Sequence, residues 1–133
     1  ELQGDREVVL AAVAQDGVAL YYASAELKGD REVVLAAVTQ AHSGPALQYA
    51  SGPALQYAST ELKADREVVL MAVAQNPHAL RYASAELRAA REVVLTGVAQ
   101  DADTLAYASA ELKGDRELML AALTQDGLAL RFV

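Results

Sequence analysis

An arginine and a glutamate followed by an apolar run recur along the chain. Arg6, Arg31, Arg66, Arg91 and Arg116 each open such a run, "REVVL" in four places and "RELML" in the fifth. The intervals between these arginines are 25, 35, 25 and 25 residues. Leu20, Leu55, Leu80, Leu105 and Leu130 follow with intervals of 35, 25, 25 and 25. A constant period of this size is the mark of a repeat architecture. The chain therefore reads as about five units of 25 residues, one of which carries ten more. The extra residues fall where "SGPALQYASGPALQYAS" stutters at 43–59. Leu55 is in phase with the leucines downstream, so the insert is placed at 41–50. The copy at 51–58 is expected to hold the ordinary place in its unit and the copy at 43–50 to protrude, although the two copies are alike and either fits the standard slot. Loop closure costs little for each added residue, so a stack of helices tolerates such an insertion.

Within a unit the pattern predicts two helical pieces. The first is "DREVVLAAVAQ", residues 5–15. Asp5, Asp30, Asp65 and Asp115 stand where an N-cap belongs, and the glutamate two residues on lies in the first turn, where the helix dipole favours negative charge. The β-branched "VVL" permits a strand, but the alanines, the acidic caps and the eleven-residue length favour a helix. Its centre is apolar on nearly every side, which predicts burial between neighbours. Gly17 and Gly127 are placed as left-handed C-caps and Pro77 as a stop. The second piece, "ALYYASAELK", is either two very short helices or one kinked helix. Ser24, Ser59, Ser84 and Ser109 cap its last turn. One unit breaks the rule, because Ala90 stands where the others have Asp. "ELRAAREVV" contains no breaker, so the two pieces are expected to fuse and straighten near Ala89 and Ala90.

One such unit cannot cover its own apolar face, whereas stacked units cover one another. The predicted fold class is therefore all-α, an α-solenoid in which each unit contributes a long helix and a short helix or helical turn. Residues 1–133 form a single array. The chain opens on "ELQG", inside one unit, and closes on "LALRFV", inside another, which is the expectation for an excerpt of a longer protein. The apolar stretch "LMLAALTQDGLALRFV" calls for more chain or another subunit to cover it.

"ALRYASAELRAAREVVLTGVAQ" and "DREVVLAAVAQDGVALYYASAELKGDREVVLAAVTQ" resemble the tandem repeats of domain of unknown function 4116. The resemblance spans essentially all of the chain outside 41–50. That family occurs in long arrays in microalgae and other protists and in some bacterial proteins. The resemblance implies a helical repeat and brings with it no activity, catalytic residue or cofactor.

Charge narrows the partners. The net charge is −7, from 11 basic and 18 acidic residues, and no basic run occurs. Binding to nucleic acid relies on clustered lysine and arginine, so no nucleic-acid partner is expected. The longest apolar runs, such as Val8 to Ala14, span seven residues, whereas a membrane-spanning helix needs about 20. The chain is not expected to cross a membrane, although it can sit at the periphery of a membrane complex. The absence of cysteine removes disulfides and thiolate metal sites.

Little in the sequence points to catalysis. His42 lies in the insert, and His78 follows Pro77 at a turn, where it reads as a solvent-exposed loop residue. Two separate histidines make no metal site without carboxylates at matching spacing. The glutamates form ladders of equivalent groups instead of one pair with distinct environments, and they read as dipole compensation and solubility. Tyr22, Tyr57, Tyr82 and Tyr107, with Phe132 in the equivalent place, read as packing residues, although aromatics at repeat spacing can also stack bases. The residue before that aromatic varies from unit to unit: Tyr21, Gln56, Arg81, Ala106 and Arg131. Framework positions of a solenoid recur and surface positions differ, so this row is the candidate protein-binding face. His42 and Gln48 in the insert are added to it. No enzyme activity and no cofactor are expected. The expected role is a scaffold that holds other protein subunits, in one form an accessory or linker subunit of a larger photosynthetic assembly. The competing expectations are a small-molecule or pigment-binding module using the insert and His42, and the substrate-selecting part of an enzyme whose catalytic domain lies elsewhere.

Overall fold

The computed structural model describes residues 2–39, 54–125 and 127. The insert at 41–50 with His42 and Gln48, the copy at 43–50, and Leu130, Arg131 and Phe132 lie outside the described residues. Among the described residues every regular element is helical, which excludes a strand at "VVL". The long helices are α1 (Arg6–Gln15), α3 (Arg31–Thr39), α5 (Arg66–Gln75), α7 (Arg91–Val98) and α9 (Arg116–Gln125). The second piece of each described unit is two very short helices and not one kinked helix: a 3₁₀ segment followed by a single α-turn. The 3₁₀ segments are Gly17–Tyr22, Ala54–Tyr57, Pro77–Tyr82 and Ala102–Tyr107. The turns are α2 (Ala25–Lys28), α4 (Thr60–Lys63), α6 (Ala85–Arg88) and α8 (Ala110–Lys113). The "LQG" at Leu2–Gly4 forms a further 3₁₀ turn ahead of α1.

Two layers result. Each long helix packs on the next, α1 on α3, α3 on α5, α5 on α7 and α7 on α9. The 3₁₀ segments pack side by side beneath them, each against the long helix before it and the one after it. The buried stripe has one spacing throughout: Val33, Val34, Ala37 and Val38 in α3, then Val68, Val69, Ala72 and Val73 in α5, then Val93, Val94, Gly97 and Val98 in α7. Leu20, Leu55, Leu80 and Leu105 rise into it from the 3₁₀ layer and are fully buried. Residues 54–57, from the second copy of the stutter, thus stand in the same place as their counterparts in other units. The long helices are not buried all round, however. Leu35 and Ala36 are half-buried and Met71 is exposed. Among the described residues, an inner long helix has a neighbour on either side and the 3₁₀ layer below, and its upper side is left uncovered.

Local chemistry sets the element ends. Asp5 Oδ1 accepts from the backbone N–H of Glu7 and Val8 at the start of α1. Asp30, Asp65 and Asp115 cap α3, α5 and α9 through the N–H three residues on, at 3.1–3.2 Å. Ser24, Ser59, Ser84 and Ser109 cap the single turns in the same way at 3.3–3.4 Å. Gly17 is not a left-handed cap. α1 ends on Asp16 in extended backbone, φ −153°, and neither Gly17 nor Gly127 adopts a left-handed conformation. Glycine is needed at 17 because a Cβ there would run into the carbonyl oxygen of Ala37. Pro77 does stop α5, and it also opens the next 3₁₀ segment as its first residue, where its missing N–H costs nothing.

The expected fusion at Ala89 and Ala90 does not occur. α6 ends at Arg88, and Ala90 is extended, φ −86° and ψ 114°, matching Asp65 at −84° and 114°. The turn is held by the bonds from Ala89 N–H to Glu86 O and Ala90 N–H to Leu87 O, and by neighbours of the same shape on both sides. Tertiary packing overrides the local preference for helix. α7 simply begins without a side-chain cap.

Two ladders join consecutive units. In the first, the backbone N–H of Ser24, Ser59, Ser84 and Ser109 donates to the carbonyl of Gln3, Lys28, Lys63 and Arg88 respectively, at 2.9–3.0 Å. In the second, the arginine at the head of a long helix reaches the head of the next. Arg6 donates from Nε to Asp30 Oδ2 at 2.9 Å and from Nη2 to Glu32 at 2.5 Å. Arg31 does the same to Asp65 at 3.0 Å and Glu67 at 2.9 Å. Arg91 reaches Asp115 at 3.2 Å and also pairs with Glu117. Arg66 pairs with Glu92 only, since Ala90 offers no carboxylate. The cap aspartate thus has two tasks: Oδ1 of Asp30 holds its own helix while Oδ2 holds the preceding unit. The guanidinium of Arg6 is the leading cause that holds the Asp30 carboxyl below the usual range; burial, next in size, pushes it up, and the capping N–H of Val33 adds a lesser downward pull. Arg31 and Val68 do the same to Asp65. At Asp115 the capping N–H of Leu118 is the leading cause.

Three outcomes are expected. Ala90→Asp supplies both a cap and the missing partner of Arg66, so it should stabilise the chain by ~1 kcal/mol from the cap, with a smaller ion-pair increment because the pair is exposed. Ala90→Asn should recover the cap part alone, and denaturant titration separates the two. A lowered carboxyl pKa in the folded chain gives stability that is complete above the ordinary value of about 3.9 and is lost as pH falls through the folded value. Asp65→Asn keeps the cap and removes the charge. It should melt below the wild type at neutral pH, with the gap closing on acidification through this range. Finally, a Cβ on Gly97 would lie 2.6 Å from the Cγ2 methyl of buried Thr104, where other units have an alanine pair such as Ala72 and Ala79. Gly97→Ala and Thr104→Ala should each destabilise, while the double variant should recover most of the loss. The cycle should yield a coupling of about 1 kcal/mol or more.

Candidate partner-binding face

The 3₁₀ layer lies on the side opposite the exposed tops of the long helices, and with three residues to a turn only part of each segment faces the core. Leu20, Leu55, Leu80 and Leu105 point into the core, and the residue that follows each leucine points away from it. Tyr21 is 53% exposed, Arg81 and Ala106 are exposed, and Gln56 is half-buried. Four members of the variable row are therefore at the surface, on 3₁₀ segments that touch in sequence. The remaining candidates, His42, Gln48 and Arg131, lie outside the described residues.

The row is chemically mixed. The Tyr21 ring meets Tyr57 edge-on at 5.1 Å and Tyr22 at 5.0 Å. Lys28 Nζ lies 5.7 Å from the Tyr21 ring centre, and the Arg81 guanidinium lies 5.7 Å from that of Tyr82. Such contacts hold a cation against an aromatic face without removing it from water. Tyr57, Tyr82 and Tyr107 are half-buried and packed on the core, in line with a packing role. Burial, followed by the neighbouring Tyr21, pushes the Tyr57 hydroxyl pKa up. Tyr22 departs from that role: it is exposed, because no unit precedes it among the described residues.

His78 is not a free loop residue. It lies within the 3₁₀ segment Pro77–Tyr82 and reaches across to the next unit. Its Nε2 is 3.2 Å from Asp101 Oδ2 and its Nδ1 is 3.3 Å from the Tyr107 hydroxyl, with the two rings edge-on at 6.0 Å. Asp101 is fixed in turn, its Oδ1 accepting from the Asp103 N–H at 2.9 Å. A tyrosine, a histidine and an aspartate in line can pass a proton. The same three groups also form a side-chain clasp between two units, at a site that is nearly half open to water. The 25-residue period was the signal for it, because it sets residues 23–29 apart on facing segments.

Close to this clasp, Ala85, Arg88, Tyr107, Ala108 and Ser109 line a hollow of about 160 Å³. Arg88 Nε is buried without a hydrogen-bond partner there. Among the described residues, no group of three or more histidines and carboxylates converges as a metal site. No described helix is long and apolar enough to cross a membrane.

The sequence profile of a domain of unknown function, DUF4116, matches residues 5–53, 51–88 and 91–133. No curated protein and no solved structure matches the chain. The three matches run in tandem through nearly the whole length, over the units that the arginine and serine ladders join, and the chain accordingly belongs to the DUF4116 family.

Proposed function

We propose that the chain is a non-enzymatic scaffold, a five-unit α-solenoid whose 3₁₀ face holds another protein, as an accessory or linker subunit of a larger assembly. One observation carries this reading. Along the 3₁₀ segments the recurring leucine is buried, whereas the varying residue beside it lies at the surface, with Tyr21, Arg81 and Ala106 exposed and Gln56 half-buried. A surface that presents tyrosine and arginine on a rigid backbone has the composition of binding hot spots. The acidic net charge of −7 favours a protein over a nucleic-acid partner. The group of His78, Asp101 and Tyr107 is read as a joint, because both partners of the histidine come from the adjoining unit and the group sits at the surface.

The test is affinity capture from the native source, with the immobilised chain and a Tyr21→Ser/Arg81→Glu variant as paired baits, read by mass spectrometry. A Glu26→Gln variant, altered on a different exposed row, serves as control. The expected outcome is one defined complex recovered in stoichiometric amount by the wild type and the control and lost by the double variant. Recovery of bait alone, or a complex indifferent to the double substitution, would remove the 3₁₀ face from consideration.

A further inference from the structure

The single turn α6 closes on a residue that the stack does not satisfy. Lys28, Lys63 and Lys113 end the corresponding turns of other units, and Arg88 ends this one. Where the lysine chain has its last methylene, arginine has the Nε–H donor. The Arg88 Nε is buried without a hydrogen-bond partner. No ion pair among the described residues includes Arg88. A buried donor without a partner is costly, and a lysine in this place would leave none at that depth.

Room for a partner lies beside it. The hollow of about 160 Å³ between α6 and the next unit is lined by Ala85, Arg88, Tyr107, Ala108 and Ser109. It is inside the stack: α6 is bonded to the unit before it through Ser84 N–H and Lys63 O, and to the unit after it through Arg88 O and Ser109 N–H. The two alanines and the ring of Tyr107, which His78 meets at 3.3 Å, make apolar walls. Ser109 Oγ accepts from Leu112 N–H at 3.3 Å, so its hydroxyl proton is left for an acceptor in the hollow. A turn of the guanidinium into this space would uncover Nε and present it together with one Nη.

The surroundings favour an anion here more than elsewhere on the chain. Residues 76–100 carry three arginines and two glutamates. Residues 51–75 carry two basic and three acidic residues, and 101–125 carry two and five. Asn76 and Ala90 stand where the next unit has Asp101 and Asp115.

We infer that Arg88 and this hollow form a binding site for a carboxylate, the side chain of a glutamate or aspartate on a protein partner. The planar fork of Nε and Nη takes both oxygens of a carboxylate, the serine hydroxyl offers one more donor, and the apolar walls receive the methylene stem. A phosphate dianion fits less well, because one guanidinium is the only cation lining the hollow and Glu86 and Glu111 are exposed on the adjoining turns. Tyr107 follows Ala106, so the site borders the variable row. The inference names a chemical group that the partner presents, and in that respect it rests on the partner-binding reading.

Nuclear magnetic resonance of the purified ¹⁵N-labelled chain tests the site without a partner. The probes are N-acetylglutamate N-methylamide, its glutamine analogue and inorganic phosphate, at fixed pH and ionic strength. The glutamate probe should shift the Arg88 Nε–Hε signal and the Ala108 and Ser109 amides saturably, and the glutamine probe should not. Arg88→Lys, the residue that other units carry, should keep the fold and weaken the response at least about fivefold through loss of the fork. Arg88→Gln should abolish it. An equal response to both amino-acid probes, a response shared evenly with Arg81 and Arg91, or undiminished binding by Arg88→Lys overturns the inference. Tighter binding of phosphate than of the glutamate probe overturns it as well. Such a failure removes this site alone and leaves the row of Tyr21 and Arg81 to the capture experiment, whereas an empty capture leaves a saturable response at Arg88 standing.

Discussion

A long helix in this chain has no apolar partner within its own unit large enough to cover it. The stripe of Val33, Val34, Ala37 and Val38 is dry only because α1, α5 and the 3₁₀ layer close around it. Everything else in the structure serves that joint. Small residues at the Ala37 position let the helices approach, the glycine at 17 lets a 3₁₀ backbone come against the next helix, and the leucine of each 3₁₀ segment fills the space beneath. A unit removed from the stack would expose what the stack hides, so stability belongs to the interfaces rather than to the units.

The charged ladder ties helix initiation to stacking. One carboxylate oxygen of Asp30 satisfies a backbone donor of α3, and the other accepts from Arg6 of the preceding unit. An exposed arginine–carboxylate pair contributes little on its own. Here, however, the cap has already ordered the aspartate, so the arginine meets a partner whose rotamer is settled. The same economy explains how the unit with Ala90 survives. It lacks both the cap and one arginine contact, yet the bond from Ser109 N–H to Arg88 O and the buried stripe of α7 hold its place between neighbours.

What could be read from the chain alone was what acts over short range or repeats. The period showed the helices, the serine and aspartate caps bind within three residues, and variation from unit to unit picked out the row at Tyr21, Gln56 and Arg81 beside the recurring leucines. The failures share a cause. Gly17 suggested a left-handed cap because the helix end was judged from its own residues, while the oxygen it must avoid belongs to Ala37, twenty residues on. Ala90 suggested a continuous helix for the same reason. Glu32 and Glu67 do lie in the first turn of their helices and His78 is exposed, but their partners Arg6, Arg31, Asp101 and Tyr107 escape notice because each is a whole unit away. A contact one period away is invisible to a reading made turn by turn, although the period itself says where to look.

The same geometry governs where such a chain can change. At Gly97 and Thr104 the joint has exchanged an alanine pair for a smaller and a larger residue, and the summed volume is kept. A change in the joint has to be answered across the joint, because close-packed interiors transmit a misplaced methyl group. On the outer side of the 3₁₀ layer no such answer is required: Tyr21, Gln56, Arg81 and Ala106 follow one another without any compensating change in the buried leucines beside them. Surface chemistry and stack geometry are thus separable in this fold. That separation allows one rigid frame to present different side chains at each step, and it confines whatever specificity the chain has to the residues the frame does not use.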